Sequence, residues 1–124
     1  MKKTLIAAFG LLLFSLAPAQ AAEMAATTEC AVHYTRTACP GQEATSYKKC
    51  DGQQSCVKYK EADNLEACQE RAVKSCRNRR LNITKSKVIT ATWQGQPIQS
   101  TSGNDDFCLD YEKLEEEFNQ CNAQ

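Results

Sequence analysis

The first strong pattern along the chain is an apolar run, Leu5 to Leu16, preceded by Lys2 and Lys3 and followed by Ala17, Pro18 and Ala19-Gln20-Ala21-Ala22. A positive start, an apolar stretch too short to cross a bilayer and an Ala-x-Ala site predict an export signal cleaved after Ala21. No later segment is apolar enough to predict a membrane span. Residues 22–124 are therefore expected to form one exported domain, periplasmic or secreted, with a loose polar leader from Ala22 to Glu29.

Beyond the leader the pattern changes period. In Cys30–Cys39, Val32, Tyr34 and Arg36 alternate with His33, Thr35 and Thr37, which predicts a strand. Pro40-Gly41 breaks it. "TSYKKCDGQQSCVKYKEA" reads as a hairpin turning over Asp51 to Ser55, with Cys50 opposite Cys56, Tyr47 opposite Tyr59 and Lys48 opposite Lys58. Directly opposed cysteines are close enough to bond. Asn64 to Arg80 then reads as a helix, with Asp63 as N-cap, Glu66 completing a capping box, and Leu65, Cys68, Ala72 and Cys76 on one stripe. A second hairpin is predicted where Ile89, Ala91 and Trp93 alternate with Val88, Thr90 and Thr92 and turn at Gln94-Gly95. Pro97 makes its return strand an edge or a stub. Finally Phe107, Tyr111, Leu114, Phe118 and Cys121 are spaced 4, 3, 4 and 3, predicting a second amphipathic helix with Asp105 and Asp106 in its first turn. The expected class is small α+β: antiparallel hairpins or one sheet, with two amphipathic helices packed on one face.

Cysteine content decides how so small a chain holds together. Removing 21 of 124 residues leaves 103, enough for one modest core. All eight cysteines (Cys30, Cys39, Cys50, Cys56, Cys68, Cys76, Cys108 and Cys121) survive cleavage. An even count in an exported domain predicts disulfides, and zinc is disfavoured because no Cys-x-x-Cys pair exists and only one histidine does. Of the roughly 105 possible pairings, two are excluded within intact helices. Cys68 and Cys76 stand about 12 Å apart along a helix and Cys108 and Cys121 about 20 Å, against a limit of about 7 Å between Cα atoms. Cys50–Cys56 is the expected local bridge.

Charge adds a candidate surface. Fifteen basic and fifteen acidic residues balance in the full chain, and losing Lys2 and Lys3 leaves a net charge of −2. That argues against a general nucleic-acid binder. The charges are segregated, however. Residues 71–87 hold Arg71, Lys74, Arg77, Arg79, Arg80, Lys85 and Lys87 with no acid, whereas residues 105–117 hold Asp105, Asp106, Asp110, Glu112, Glu115, Glu116 and Glu117 against Lys113. The bland reading is a solvated face that caps one helix and pairs with the other. The functional reading is a basic surface that docks an acidic partner, either another protein or an anionic envelope component.

Catalytic readings are weaker. A Ser-His-Asp or Cys-His site needs a histidine, and His33 in its strand has no orienting motif beside it. The clustered carboxylates could in principle hydrolyse a glycosidic bond, but a polar helix face does not predict the burial that raises a pKa. Asn104, Asp105 and Asp106 lack the spacing of a calcium loop. No cofactor or metal is expected. The leading expectation is a non-enzymatic exported binding protein of inhibitor or immunity type. The alternatives are a small secreted hydrolase or a structural envelope component.

Overall fold

In a computed structural model describing residues 29–122, the alternation in the first strand is realised as β1, Cys30–Ala38. Val32, Tyr34 and Arg36 are buried on one face, while His33, Thr35 and Thr37 are more open on the other. The export signal, its cleavage site and residues 22–28 of the leader lie outside the described residues. β1 is a central strand, because it pairs antiparallel with both β2 (Ser55–Lys60) and β3 (Thr84–Trp93). A short β4, Gln96–Ile98, completes a four-stranded sheet of order β2-β1-β3-β4. Tyr34 pairs with Ile89 and Val32 with Ala91, which places all four on the inner face.

The second hairpin forms as expected. Gln94 and Gly95 both have positive φ, 56° and 80°, as a tight two-residue turn between twisted strands requires. Pro97 lies in the edge strand, where its missing N–H disrupts no second ladder.

The first predicted hairpin needs correction. Cys50 and Cys56 are bonded, but the residues before Cys50 are helical: α1 is one turn, Glu43–Ser46, continuing into a 3-10 turn, Tyr47–Cys50. β2 pairs with β1 instead, so Lys58 faces Val32 and Tyr59 faces Ala31, rather than Lys48 and Tyr47. A disulfide needs only a chain reversal that brings the Cα atoms together, here 5.4 Å, and Asp51 and Gly52 supply it with positive φ. The ladder goes to β1 because that strand carries the apolar face.

α2 runs Leu65–Lys74 and lays Cys68 and Ala72 against the sheet, with Cys76 buried just beyond its end. Its cap is Asn64, not Asp63: the Asn64 side chain accepts from Ala67 N–H at 2.8 Å, so the Asp63–Glu66 box is not made. Leu65, in the outermost turn, remains 43% exposed.

The predicted second helix is also broken. A 3-10 turn, Phe107–Asp110, gives way to extended Tyr111, then to one α turn, α3 (Leu114–Glu117), and to extended Phe118. Two disulfides pull its ends apart, Cys76–Cys108 toward α2 and Cys39–Cys121 toward the far end of β1. The apolar seam survives the break: Phe107 and Phe118 are buried, and Tyr111 and Leu114 pack against the core.

Asp106 joins this segment to the sheet. Its Oδ1 accepts from Cys108 N–H at 3.0 Å and from Ile89 N–H at 3.1 Å, closing the β3 edge where the three-residue β4 no longer reaches. Asp106→Ala is expected to cost about 1–3 kcal/mol in denaturant unfolding, with Asp106→Asn losing less. Equal stability of wild type and Asp106→Ala would show that the cap carries nothing.

The four bridges link Cys30–Cys68, Cys39–Cys121, Cys50–Cys56 and Cys76–Cys108, leaving no free cysteine among the described residues. Cys68 and Cys76 thus reach different partners, as do Cys108 and Cys121. Apart from cystines, the largest fully buried side chains are Phe107, Ile89 and Val32. A core so dominated by sulfur depends on covalent closure. Among the described residues no helix is long and apolar enough to cross a membrane.

Candidate functional site

Past the end of α2 the chain must turn back into β3, and one residue organises that turn. Asn78 is buried; its Nδ2 donates to Thr84 O at 3.1 Å and to Glu117 O at 2.9 Å, while its backbone N–H donates to a Glu117 carboxylate oxygen at 2.7 Å. With Asn78 pinned to β3 and α3, its neighbours Arg77, Arg79 and Arg80 are left exposed. They stand at the mouth of a cavity of about 400 Å³.

The rest of the lining comes from the sheet and from the helical segment before Cys50. Arg36 projects from the inner face of β1, Lys87 and Thr84 from β3, Ser46 and Thr45 from α1, and Lys49 from the 3-10 turn that follows. Among the described residues the lining therefore holds six cations, Arg36, Lys49, Arg77, Arg79, Arg80 and Lys87, and no carboxylate.

Arg36 is only 5% exposed. Among the described residues its guanidinium makes one hydrogen bond, Nη1 to Cys50 Sγ at 2.9 Å, and it stacks 5.0 Å from the Tyr34 ring centroid. A sulfur atom and a ring face are weak partners for a group with five N–H donors. Burial pushes its pKa below the ordinary arginine value, with Tyr34 acting in the opposite sense. Arginine nonetheless stays charged across the physiological range. A buried charge without a carboxylate is costly to the fold.

Lys87 is half-buried. Its Nζ donates to Ser75 O at 3.2 Å and also to Arg77 O, the carbonyls at the end of α2. Its pKa is lowered to about 8 by desolvation first, then by the charges of Arg36 and Lys49, with Glu117 pulling weakly the other way. Beside it the Ser46 and Thr84 hydroxyls are 2.6 Å apart and share one hydrogen bond.

Of the seven cations expected to form a basic surface, the cavity gathers four: Arg77, Arg79, Arg80 and Lys87. Arg71 points elsewhere and donates from Nε to Glu61 O, Lys74 lines separate hollows, and Lys85 is exposed outside the cavity. Arg36 and Lys49 complete the set from distant sequence. Arg36 was legible as the one charged residue on the strand face shared by Val32 and Tyr34. Nothing local marked Lys49.

The carboxylates serve mainly as acceptors within the fold. Asp106 caps, Glu117 receives Asn78 N–H and Tyr111 O–H, and Asp110 accepts from Asn104 and Ser100. Those bonds hold the Asp110 carboxyl below its ordinary pKa, Asn104 contributing most. His33 lies on the opposite sheet face between Val57 and Thr90, its Nε2 buried without a hydrogen-bond partner, and cannot reach the cavity. Among the described residues no group of three or more His, Cys, Asp or Glu is placed to hold a metal ion.

Fold and site together define a class: a small α+β domain stapled by four disulfides around a cation-lined cavity. Comparison with protein-family models, with curated proteins and with solved structures finds no match to this chain.

Proposed function

We propose that the protein is an exported, non-enzymatic binding protein that docks an acidic partner through the mouth of the cationic cavity. The observation that carries this reading is six converging cations, one of them buried, with no carboxylate in the lining among the described residues. Charges gathered in a concave, partly desolvated site focus the local field, raising the encounter rate with an anionic partner. A cross-linked frame suits such a role, because a surface already rigid loses little entropy on binding.

Capture from native envelope extract tests it. Retention of a specific acidic partner is expected for the wild type, and the triple reversal Arg77→Glu, Arg79→Glu, Arg80→Glu is expected to weaken it by about a hundredfold, largely through slower association at low salt. A partner held equally well by the reversed protein overturns the basic-surface reading. Turnover of a polysaccharide or lipid that a single Asp or Glu substitution abolishes overturns the non-enzymatic reading.

A further inference from the structure

We propose that the floor of the cavity, formed by Arg36, Lys87 and the Ser46–Thr84 hydroxyl pair, is a site for a doubly charged tetrahedral oxyanion: the phosphate of a phosphomonoester. The inference rests on the acidic-partner reading and names the anionic group that enters.

The donors are arranged for such a group. The guanidinium comes from β1, the ammonium from β3 and the hydroxyls from α1 and β3, so three elements bring donors to one cavity. A carboxylate presents two oxygens in a plane, whereas a phosphate monoester presents three outside one. Two hydroxyls sharing one hydrogen bond commit one hydrogen and leave the other to donate. Guanidinium, ammonium and hydroxyl thus supply three donor groups for three oxygens.

Charge points the same way. A single carboxylate leaves one of the two floor cations unbalanced, while a phosphomonoester carries about −1.5 to −2 near pH 7. A phosphodiester, with one charge, shares the carboxylate's deficit. Burial first, and then the charges of Arg36 and Lys49, disfavour the Lys87 cation, and a dianion at this position offsets those charges. A cavity of about 400 Å³ also has room for the organic group bearing the ester, which the exposed Lys49, Arg77, Arg79 and Arg80 flank.

The disulfide-bonded protein, produced by export of the full chain, is titrated calorimetrically at pH 7.5 and constant ionic strength with inorganic phosphate, acetate and poly-glutamate. Phosphate is expected to bind saturably and at least about tenfold more tightly than acetate. Lys87→Met should weaken phosphate by about ten- to a hundredfold, the size of one lost charge-assisted hydrogen bond. Arg36→Lys keeps the charge at a buried position and should weaken phosphate comparably by losing the fork. Lys85→Met, outside the cavity, should leave affinity unchanged. Vesicles of phosphatidylcholine with phosphatidic acid, a monoester headgroup, or with phosphatidylglycerol, a diester, then identify the source. Retention on the former alone assigns the phosphate to a lipid; phosphate binding without retention assigns it to a soluble ligand. Equal affinity for phosphate and acetate, or phosphate binding untouched in Lys87→Met and Arg36→Lys, overturns the proposal. If phosphate fails while poly-glutamate binds, only the dianion assignment falls; if neither binds, the acidic-partner reading falls with it.

Discussion

Replacing Cys39 and Cys121 together by alanine is expected to destabilise the protein by about 4–5 kcal/mol, and replacing Cys50 and Cys56 by only about 2 kcal/mol. The bridges close segments of 82 and 6 residues respectively, and the entropy removed from the unfolded chain grows with the logarithm of that length. The comparison is well matched, because each pair has one buried and one half-buried cysteine, so the voids left behind are similar. Cys30–Cys68 and Cys76–Cys108, with separations of 38 and 32, fall between at about 4 kcal/mol. Since small domains are stable by only about 5–15 kcal/mol in total, the largest of these losses brings the fold near its limit. Guanidinium unfolding of the four double variants measures the order. Equal losses across the set, or the largest loss at Cys50–Cys56, contradict the loop-closure origin of the stability.

Between pH 8 and 10.5 the wild-type protein is expected to gain stability relative to Lys87→Met. The folded-state pKa of Lys87 is about 8, against 10.5 for an unperturbed lysine. Within that window the unfolded chain binds the proton that the folded chain has released, so raising the pH favours the fold. Below pH 8 both states are protonated and the fold carries the full cost of a desolvated cation beside Arg36 and Lys49; above 10.5 that cost is gone. The ceiling is on the order of 3 kcal/mol, at 1.36 kcal/mol for each pH unit separating the two values. Tyr111, whose pKa is raised by burial and by Glu117, also loses its proton in alkaline solution, so the informative quantity is the difference between wild type and Lys87→Met. The change of that difference with pH is insensitive to a constant offset from the lost bonds to Ser75 and Arg77. Parallel stability curves from pH 7 to 11 contradict the desolvation of Lys87 and its crowding by Arg36 and Lys49.

Element type was legible where one face is buried and the chain is locally regular. The period of two in β1 and β3, the Gln94-Gly95 turn and the Cys68–Ala72 stripe follow from burial on one side, and each stands in the fold. The failures share a cause. Cys50–Cys56 marked a reversal of the chain correctly, but a reversal does not specify whether the arms pair with each other, and β1 took β2 as its own neighbour. The 4-3-4-3 spacing through Phe107 and Phe118 marked the buried positions correctly, but the bridges at Cys108 and Cys121 break the helix that spacing implies. Tertiary constraint overrode local pattern in both places, by strand pairing in the first and by covalent closure in the second. The same holds for the site. The Arg77–Arg80 burst and Lys87 were visible as charge, whereas their meeting with Arg36 and Lys49 depends on how β1 and the turn before Cys50 are folded together.

The most direct test of a cavity that holds a desolvated cation among like charges is the titration of one atom. In protein labelled at the lysine ε-carbon, with Lys87→Arg to assign the resonance, the Lys87 ammonium is expected to titrate near pH 8 without added phosphate. A midpoint at the ordinary value of about 10.5 would show that Lys87 is neither desolvated nor crowded by Arg36 and Lys49, and would contradict this account of the cavity.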